Sequence, residues 1–207
     1  MSKPGQKVFI VDDDASFLKG IERLLRSSGY ATECFGSASE FLARRTHGAA
    51  GCVLADLRMP GMDGMALQAT LAQSADPLPV VFLTGHGDIP TGVEAMRRGA
   101  EDFLVKTAPK ELLLAAIERA LARDARENTA RTRRRQLQSH FEKLTPREHQ
   151  VLSQVMLGRR NKQIATDMGI DERSVKRHRT NLMRKLEVTS VAELVQLAIE
   201  AGLRAAG

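Results

Sequence analysis

Over roughly the first 120 residues, short continuously apolar runs alternate with stretches whose apolar residues recur at helical spacing. The runs Val8–Val11, Ala31–Phe35, Cys52–Ala55, Val80–Leu83 and Asp102–Val105 have strand length, and most are apolar throughout. Parallel strands covered on both faces read this way, whereas half-exposed strands alternate. Between them, Ser16–Ser28 places Phe17, Leu18, Ile21, Leu24 and Leu25 on one helical face, with Gly29 as the stop. Ser37 is placed to cap a second helix, with Glu40 at the capping-box position. Gly64–Gln73, Ile89–Arg98 and Pro109–Arg123 supply three more. Five strand–helix units with no second sheet predict an α/β flavodoxin-like (βα)5 domain over residues 5–123.

The pattern then changes. From Arg123 the sequence RDARENTARTRRRQLQSH has almost no apolar face, so residues 124–140 read as a solvated helical or flexible spacer, with a short dimerising coil or a phosphate-contacting arm through Arg133–Arg135 as the alternative. From 141 to 207 the period is helical only. Thr145, Pro146 and Glu148 form a strong helix start, and the helix runs through Val151, Leu152 and Val155 to Gly158. Asn161–Met168 is a second helix, Gly169–Asp171 a tight turn, and Glu172–Leu186 a third helix with Val175, Leu182, Met183 and Leu186 inward. Ser190 and Glu193 start a fourth. A short helix, a glycine turn and an amphipathic helix whose other face is basic predict a helix-turn-helix within a small all-α bundle.

Charge sharpens this division. Residues 1–124 hold 14 Lys/Arg against 16 Asp/Glu, net −2, while residues 125–207 hold 17 against 9, net +8. The basic module is a candidate polyanion binder, and its third helix would lie in a major groove of double-stranded DNA. The alternative is a helical bundle with a solvated basic face. No apolar run reaches the 18 residues of a membrane span, and the start MSKPGQKVFIVDDD reads as a strand and acids rather than a secretory leader. Cys34 and Cys52 form no metal-ligand pattern and read as thiols in a reducing cytoplasm.

In a parallel sheet, ligands bind at the carboxyl ends of the strands. Asp12 and Asp13, Asp56, Thr84 and Lys106 each lie just at or after such an end, so they are expected to converge. Clustered carboxylates call for a cation, and Mg²⁺ takes oxygen ligands and is completed by phosphate oxygens. Asp56 is the best nucleophile for a phosphoryl group, with Thr84 and Lys106 placed to hold its oxygens. A phosphatase of the Asp-x-Asp-x-Thr type would need an acid two residues after the nucleophile. Arg58 stands there and cannot serve.

The segments Val11–Asp14, Asp56–Gly64, Thr84 and Asp102–Lys106 resemble the receiver domain of a bacterial two-component response regulator. Leu144–Glu148, Gly158, Asn161–Ala165, Ser174–His178 and Lys185–Leu186 resemble the LuxR-type helix-turn-helix. Together the chain is similar to the FixJ/NarL class. The resemblance implies that Asp56 is the phosphoacceptor, fed by a phosphohistidine on a sensor histidine kinase. It implies Mg²⁺ bound by Asp13 and Asp56 with the Arg58 carbonyl, and by Asp12 through water. Thr84 and Lys106 become the phosphoryl clamp and Phe103 the aromatic switch. Val93, Met96, Arg97 and Phe103 would form the face on which a homodimer assembles after phosphorylation. On the DNA side it implies base contacts from Lys176, Arg177 and Thr180, and phosphate contacts from Asn161, Lys162, Arg173, His178 and Arg184. Arg177, a long donor where the family varies, would carry promoter selectivity. The output would be transcription control through RNA polymerase, as an activator.

One position departs from the pattern. Receivers usually carry Lys-Pro with a cis bond after the last strand, and here Thr107 follows Lys106. The expectation is either a strained cis bond or a trans loop that aims Lys106 less well, with consequences for phosphorylation rate and lifetime. A regulator or adaptor that keeps the fold without phosphorylation is the competing reading.

Overall fold

A computed structural model describes residues 6–46, 48–85 and 89–203. Residue 5 and residues 204–207, at the ends of the two expected modules, lie outside the described residues. The chain divides into two compact units, 1–128 and 129–207.

The first unit is one five-stranded parallel sheet, β1 (Gln6–Val11), β2 (Ala31–Phe35), β3 (Ala50–Asp56), β4 (Val80–Thr84) and β5 (Asp102–Val105), in the order β2-β1-β3-β4-β5. The helices between strands are α1 (Ala15–Ser27), α2 (Ala38–Arg44), α3 (Gly64–Ala72) and α4 (Ile89–Arg97), with α5 (Lys110–Phe141) after β5. Side chains of a strand alternate between faces, and the two cores follow that alternation. Phe9, Val11, Val53, Ala55 and Phe82 pack with Phe41, Leu67, Leu71 and Ala95 on one face. Val8, Ile10, Cys52, Leu54 and Val81 pack with Ile21, Leu25, Leu113 and Ile117 on the other. This two-sided burial is why the strands are continuously apolar.

Local chemistry fixes the starts of the helices. Asp14 caps α1, its carboxylate accepting from the Ser16 and Phe17 N–H groups. Ser37 caps α2, but Glu40 reaches past the expected capping-box donor and accepts from the Gly36 N–H at 2.8 Å. Gly64 opens α3 where nothing larger fits: a Cβ there would lie 2.5 Å from the Asp56 carbonyl oxygen and 2.8 Å from the Phe82 ring.

The stretch expected to be a spacer is helical throughout, as the continuation of α5, and it is not free of tertiary contacts. Asp124 is fully buried in the first unit and accepts from the Gly51 N–H at 2.9 Å. Leu137 and Phe141, at the other end, belong to the core of the second unit.

The second unit packs the end of α5 with α6 (Pro146–Met156), α7 (Asn161–Met168), α8 (Glu172–Lys185) and α9 (Val191–Glu200). Its core is Phe141, Leu144, Val151, Leu152, Val155, Ile164, Val175, Leu182, Leu194 and Ala198. Capping boxes at Thr145/Glu148 and Ser190/Glu193 begin α6 and α9. Gly169 ends α7 in the left-handed conformation, φ 62°, and Asp171 caps α8 two residues later. The short turn between them makes α7 and α8 the helix-turn-helix pair.

Candidate functional site

The register of the sheet brings the acidic pocket together. Val11 pairs with Ala55, Asp56 with Leu83, and Thr84 with Val105. Asp12, Asp56, Thr84 and Lys106 are therefore neighbours at the carboxyl ends of the strands, and the Lys106 N–H donates to the Thr84 carbonyl at 2.8 Å. Asp12, Asp56 and Thr84 are buried, while Asp13 is exposed. One carboxylate oxygen from each of Asp12, Asp13 and Asp56 lies within 4.8 Å of the others.

Lys106 closes the pocket. Its Nζ stands 2.6 Å from Asp12 Oδ2 and 2.8 Å from Asp56 Oδ2. The Lys106–Thr107 bond is trans, the second of the two expected arrangements, and Lys106 Nζ reaches both carboxylates. The Lys106–Asp56 contact is an aligned hydrogen bond, whereas the ammonium meets Asp12 Oδ2 at poor hydrogen-bond geometry, as a close ion pair. Burial raises the Asp12 pKa, and this outweighs the opposing effect of Lys106 and of the Asp14 N–H. Burial also acts to lower the Lys106 pKa, but the hydrogen bonds to Asp12 and Asp56 prevail and the net direction is upward. Three carboxylates that each bring one oxygen within 4.8 Å of the others, with one ammonium beside them, fit a hard divalent cation held by oxygens. The Arg58 N–H donates to Asp56 Oδ1 at 3.2 Å, which places the Arg58 backbone at the same cluster.

Beside the pocket, Phe103 is half-buried, its ring packed on α4 at Gly92 and tilted against Phe82 with centroids 6.4 Å apart. Ile89, Val93 and Met96 are exposed apolar residues of α4. With Gly92, Arg97, Phe103 and Val105 they line a groove of about 710 Å³.

In the second unit, α8 turns Val175 and Leu182 inward and leaves Arg173, Lys176, Arg177, Thr180 and Arg184 exposed. Arg173, Lys176, Arg177 and Thr180 share one concave surface with Asp171 and Ser174. Lys162 is exposed on α7, and His178 is half-buried. Asn161 is half-buried too, and its carboxamide oxygen accepts from Arg179 Nη1 at 2.7 Å. Arg179 had no sequence signal, because it lies between the exposed and buried stripes of α8. Nor did Phe17, whose ring lies under the Lys106 ammonium, 4.3 Å from Nζ to centroid. At helical spacing it is indistinguishable from core.

Two family models match the chain: the response regulator receiver domain over residues 8–118, and the bacterial regulatory proteins of the luxR family over residues 142–198. The chain belongs to the response regulators that join a receiver domain to a LuxR-type DNA-binding domain. The response regulator protein TodT of Pseudomonas putida is 41% identical over 95% of this chain and 87% of its own. The transcriptional regulatory protein FixJ of Bradyrhizobium diazoefficiens is 36% identical over 95% and 96%. Among solved structures, the response regulator StyR superposes with a TM-score of 0.77 at 47% identity, over 95% of this chain and 99% of that one. Full-length FixJ from B. japonicum gives 0.56 at 36% identity, over 98% of each. The regulator is thus a two-component transcriptional response regulator. No helix among its described residues is long and apolar enough to cross a membrane.

Proposed function

We propose that Asp56 of this regulator accepts a phosphoryl group from a phosphohistidine of a partner sensor kinase. Residues 5–123 serve as the receiver and 141–207 as the DNA reader, joined through 124–140. The observation that carries the reading is Lys106 Nζ held 2.8 Å from Asp56 within the three-carboxylate cluster. An Asp56 oxygen forms the new bond to phosphorus as the phosphorus–nitrogen bond of the donor breaks, and the imidazole leaves. Lys106 and Thr84 take the phosphoryl oxygens, and the Arg58 N–H orients Asp56. Asp13, Asp56 and the Arg58 carbonyl, with Asp12 through water, would hold Mg²⁺, which would supply charge neutralisation at the transferring group. The chain's own task is positioning, because phosphoryl transfer asks little covalent chemistry of the protein beyond its nucleophile.

Movement of Thr84 toward the phosphoryl group lets the Phe103 ring pack further inward and reshapes the face of Val93, Met96, Arg97 and Phe103. That groove is apolar and already exposed, which suits a homodimer contact. A dimer presents two α8 helices to paired half-sites in promoter DNA. Lys176, Arg177 and Thr180 read bases, with Arg177 setting selectivity. Asn161, Lys162, Arg173, His178 and Arg184 hold phosphates, and Arg179 fixes the Asn161 side chain. We place the regulator in the cytoplasm, with RNA polymerase as its output partner. Activation, rather than repression, rests on resemblance to the class.

Selection of duplexes from a random DNA library, with and without beryllofluoride and Mg²⁺, tests the whole reading. A paired-half-site motif enriched only with the phosphoryl mimic is expected. The same motif without the mimic moves the switch off Asp56. No motif in either condition removes the DNA reader. Asp56→Ala is expected to lose phosphoryl-dependent dimerisation by light scattering, and an unchanged response overturns the mechanism.

A further inference from the structure

Lysine reaches its target on a flexible four-carbon stem, so its aim must be imposed from outside. Thr107 follows Lys106, so no proline ring restricts the Lys106 backbone. Two fastenings are the Asp12 and Asp56 carboxylates. A third is the face of Phe17, 4.3 Å from Nζ to the ring centroid, well within the reach of a cation–π contact. The ring is itself fixed. Asp14 accepts from the Phe17 N–H at 3.1 Å, which sets Phe17 in the first turn of α1. Side chains of a helix lean toward its N-terminus, here toward the carboxyl ends of the strands. The ring body packs against the core that holds Ile21 and Leu25.

We infer that Phe17 is a positioning residue for phosphoryl transfer: its ring holds the Lys106 ammonium at the mouth of the pocket, where the incoming phosphoryl oxygens must be met. The inference rests on Asp56 being the phosphoacceptor. When Asp56 is phosphorylated, its direct pairing with Lys106 is exchanged for pairing with a phosphoryl oxygen. Of the three fastenings, the Asp56 carboxylate is the one the reaction alters, while the ring and Asp12 are left chemically unchanged. The ring therefore keeps Lys106 in place in both states, and it covers the ammonium on a side that water would otherwise reach.

The test is the rate of phosphorylation by phosphoramidate at saturating Mg²⁺, in the full chain, with wild type, Phe17→Met and Phe17→Tyr. Methionine conserves most of the volume and removes the ring face. Tyrosine keeps the face. The Met variant is expected to react roughly fivefold more slowly, with Mg²⁺ affinity by calorimetry unchanged, and the Tyr variant to restore most of the rate. In a Lys106→Met background, Phe17→Met is expected to change nothing further. A Met variant as fast as wild type overturns the inference. So does a slowing of equal size in the Lys106→Met background, which would mark Phe17 as packing alone. Wild type that takes up phosphate while Asp56→Asn does not secures the underlying assignment. Wild type that takes up none removes the assignment, and the inference with it.

Discussion

Glu148 shows how one side chain can serve a helix and a tertiary contact together. Its carboxylate accepts from the Thr145 N–H at 2.8 Å and from Lys185 Nζ at 2.7 Å, although it is almost fully buried. Burial works to raise its pKa, but the hydrogen bonds from Lys185 and Thr145 outweigh this, and the pKa falls below the ordinary 4.5. A depressed folded-state pKa gives stability that is full above the unfolded value and is lost as pH falls through the folded value. The DNA-binding unit should therefore weaken below about pH 4.5, and Glu148→Gln should flatten that loss. The same variant keeps the capping acceptor but gives up the charge-assisted bond, at a cost of about 2 kcal/mol near neutrality. Denaturant melts of the two proteins at neutral and acid pH check both points. A second residue-scale consequence falls on Gly64. An added methyl meets the Asp56 carbonyl at 2.5 Å, so Gly64→Ala should destabilise the receiver by about 2 kcal/mol and slow phosphorylation by displacing the end of β3, where Asp56 stands.

Helices were legible where their ends carry capping chemistry. Ser37, Thr145, Asp171 and Ser190 each cap the helix expected of them. The strand ends were legible for a similar reason: five apolar runs in βα order leave Asp12, Asp56, Thr84 and Lys106 few places but the carboxyl end of the sheet. What stayed hidden were contacts between residues far apart in sequence. Asp124 reads as the first acid of a polar helix, yet it is buried and accepts from the start of β3. The stretch after it looked coreless because its apolar contribution to the second core is Leu137 and Phe141 alone, beyond the window in which a helical stripe is visible. Asp124→Ala tests what this hydrogen bond is worth to α5. It leaves the buried Gly51 N–H without its acceptor, so a loss of about 1–3 kcal/mol is expected in receiver stability. Hydrogen exchange at the Gly51 amide should accelerate with it. An unchanged melt would mean that α5 is held on the sheet by Leu113, Ile117 and Leu121 alone.

Across the whole chain, the charge division sets how the regulator meets its partners. Net −2 on residues 1–124 gives no general attraction to DNA, whereas net +8 on the remainder does. The cations assigned to DNA in that second part are not all in one place. Arg173, Lys176 and Arg177 line one concavity with Thr180, while Lys162 stands outside it on α7. If Lys162 holds a phosphate, its removal takes away one counterion-releasing cation per module. For a dimer on paired half-sites, Lys162→Ala should then reduce the slope of log affinity against log salt by about 1.8. The weakening should be alike for specific and random duplexes, because phosphates carry no sequence. Arg177→Ala should behave differently. A base-reading side chain on α8 contributes about 1–3 kcal/mol of discrimination against the wrong base, so affinity should fall on the selected motif and change little on random DNA. Titrations of both variants over a range of salt, on both duplexes, separate the two roles. Equal weakening for Arg177→Ala on the two duplexes would make it a phosphate ligand, and promoter selectivity would then rest on Lys176 and Thr180.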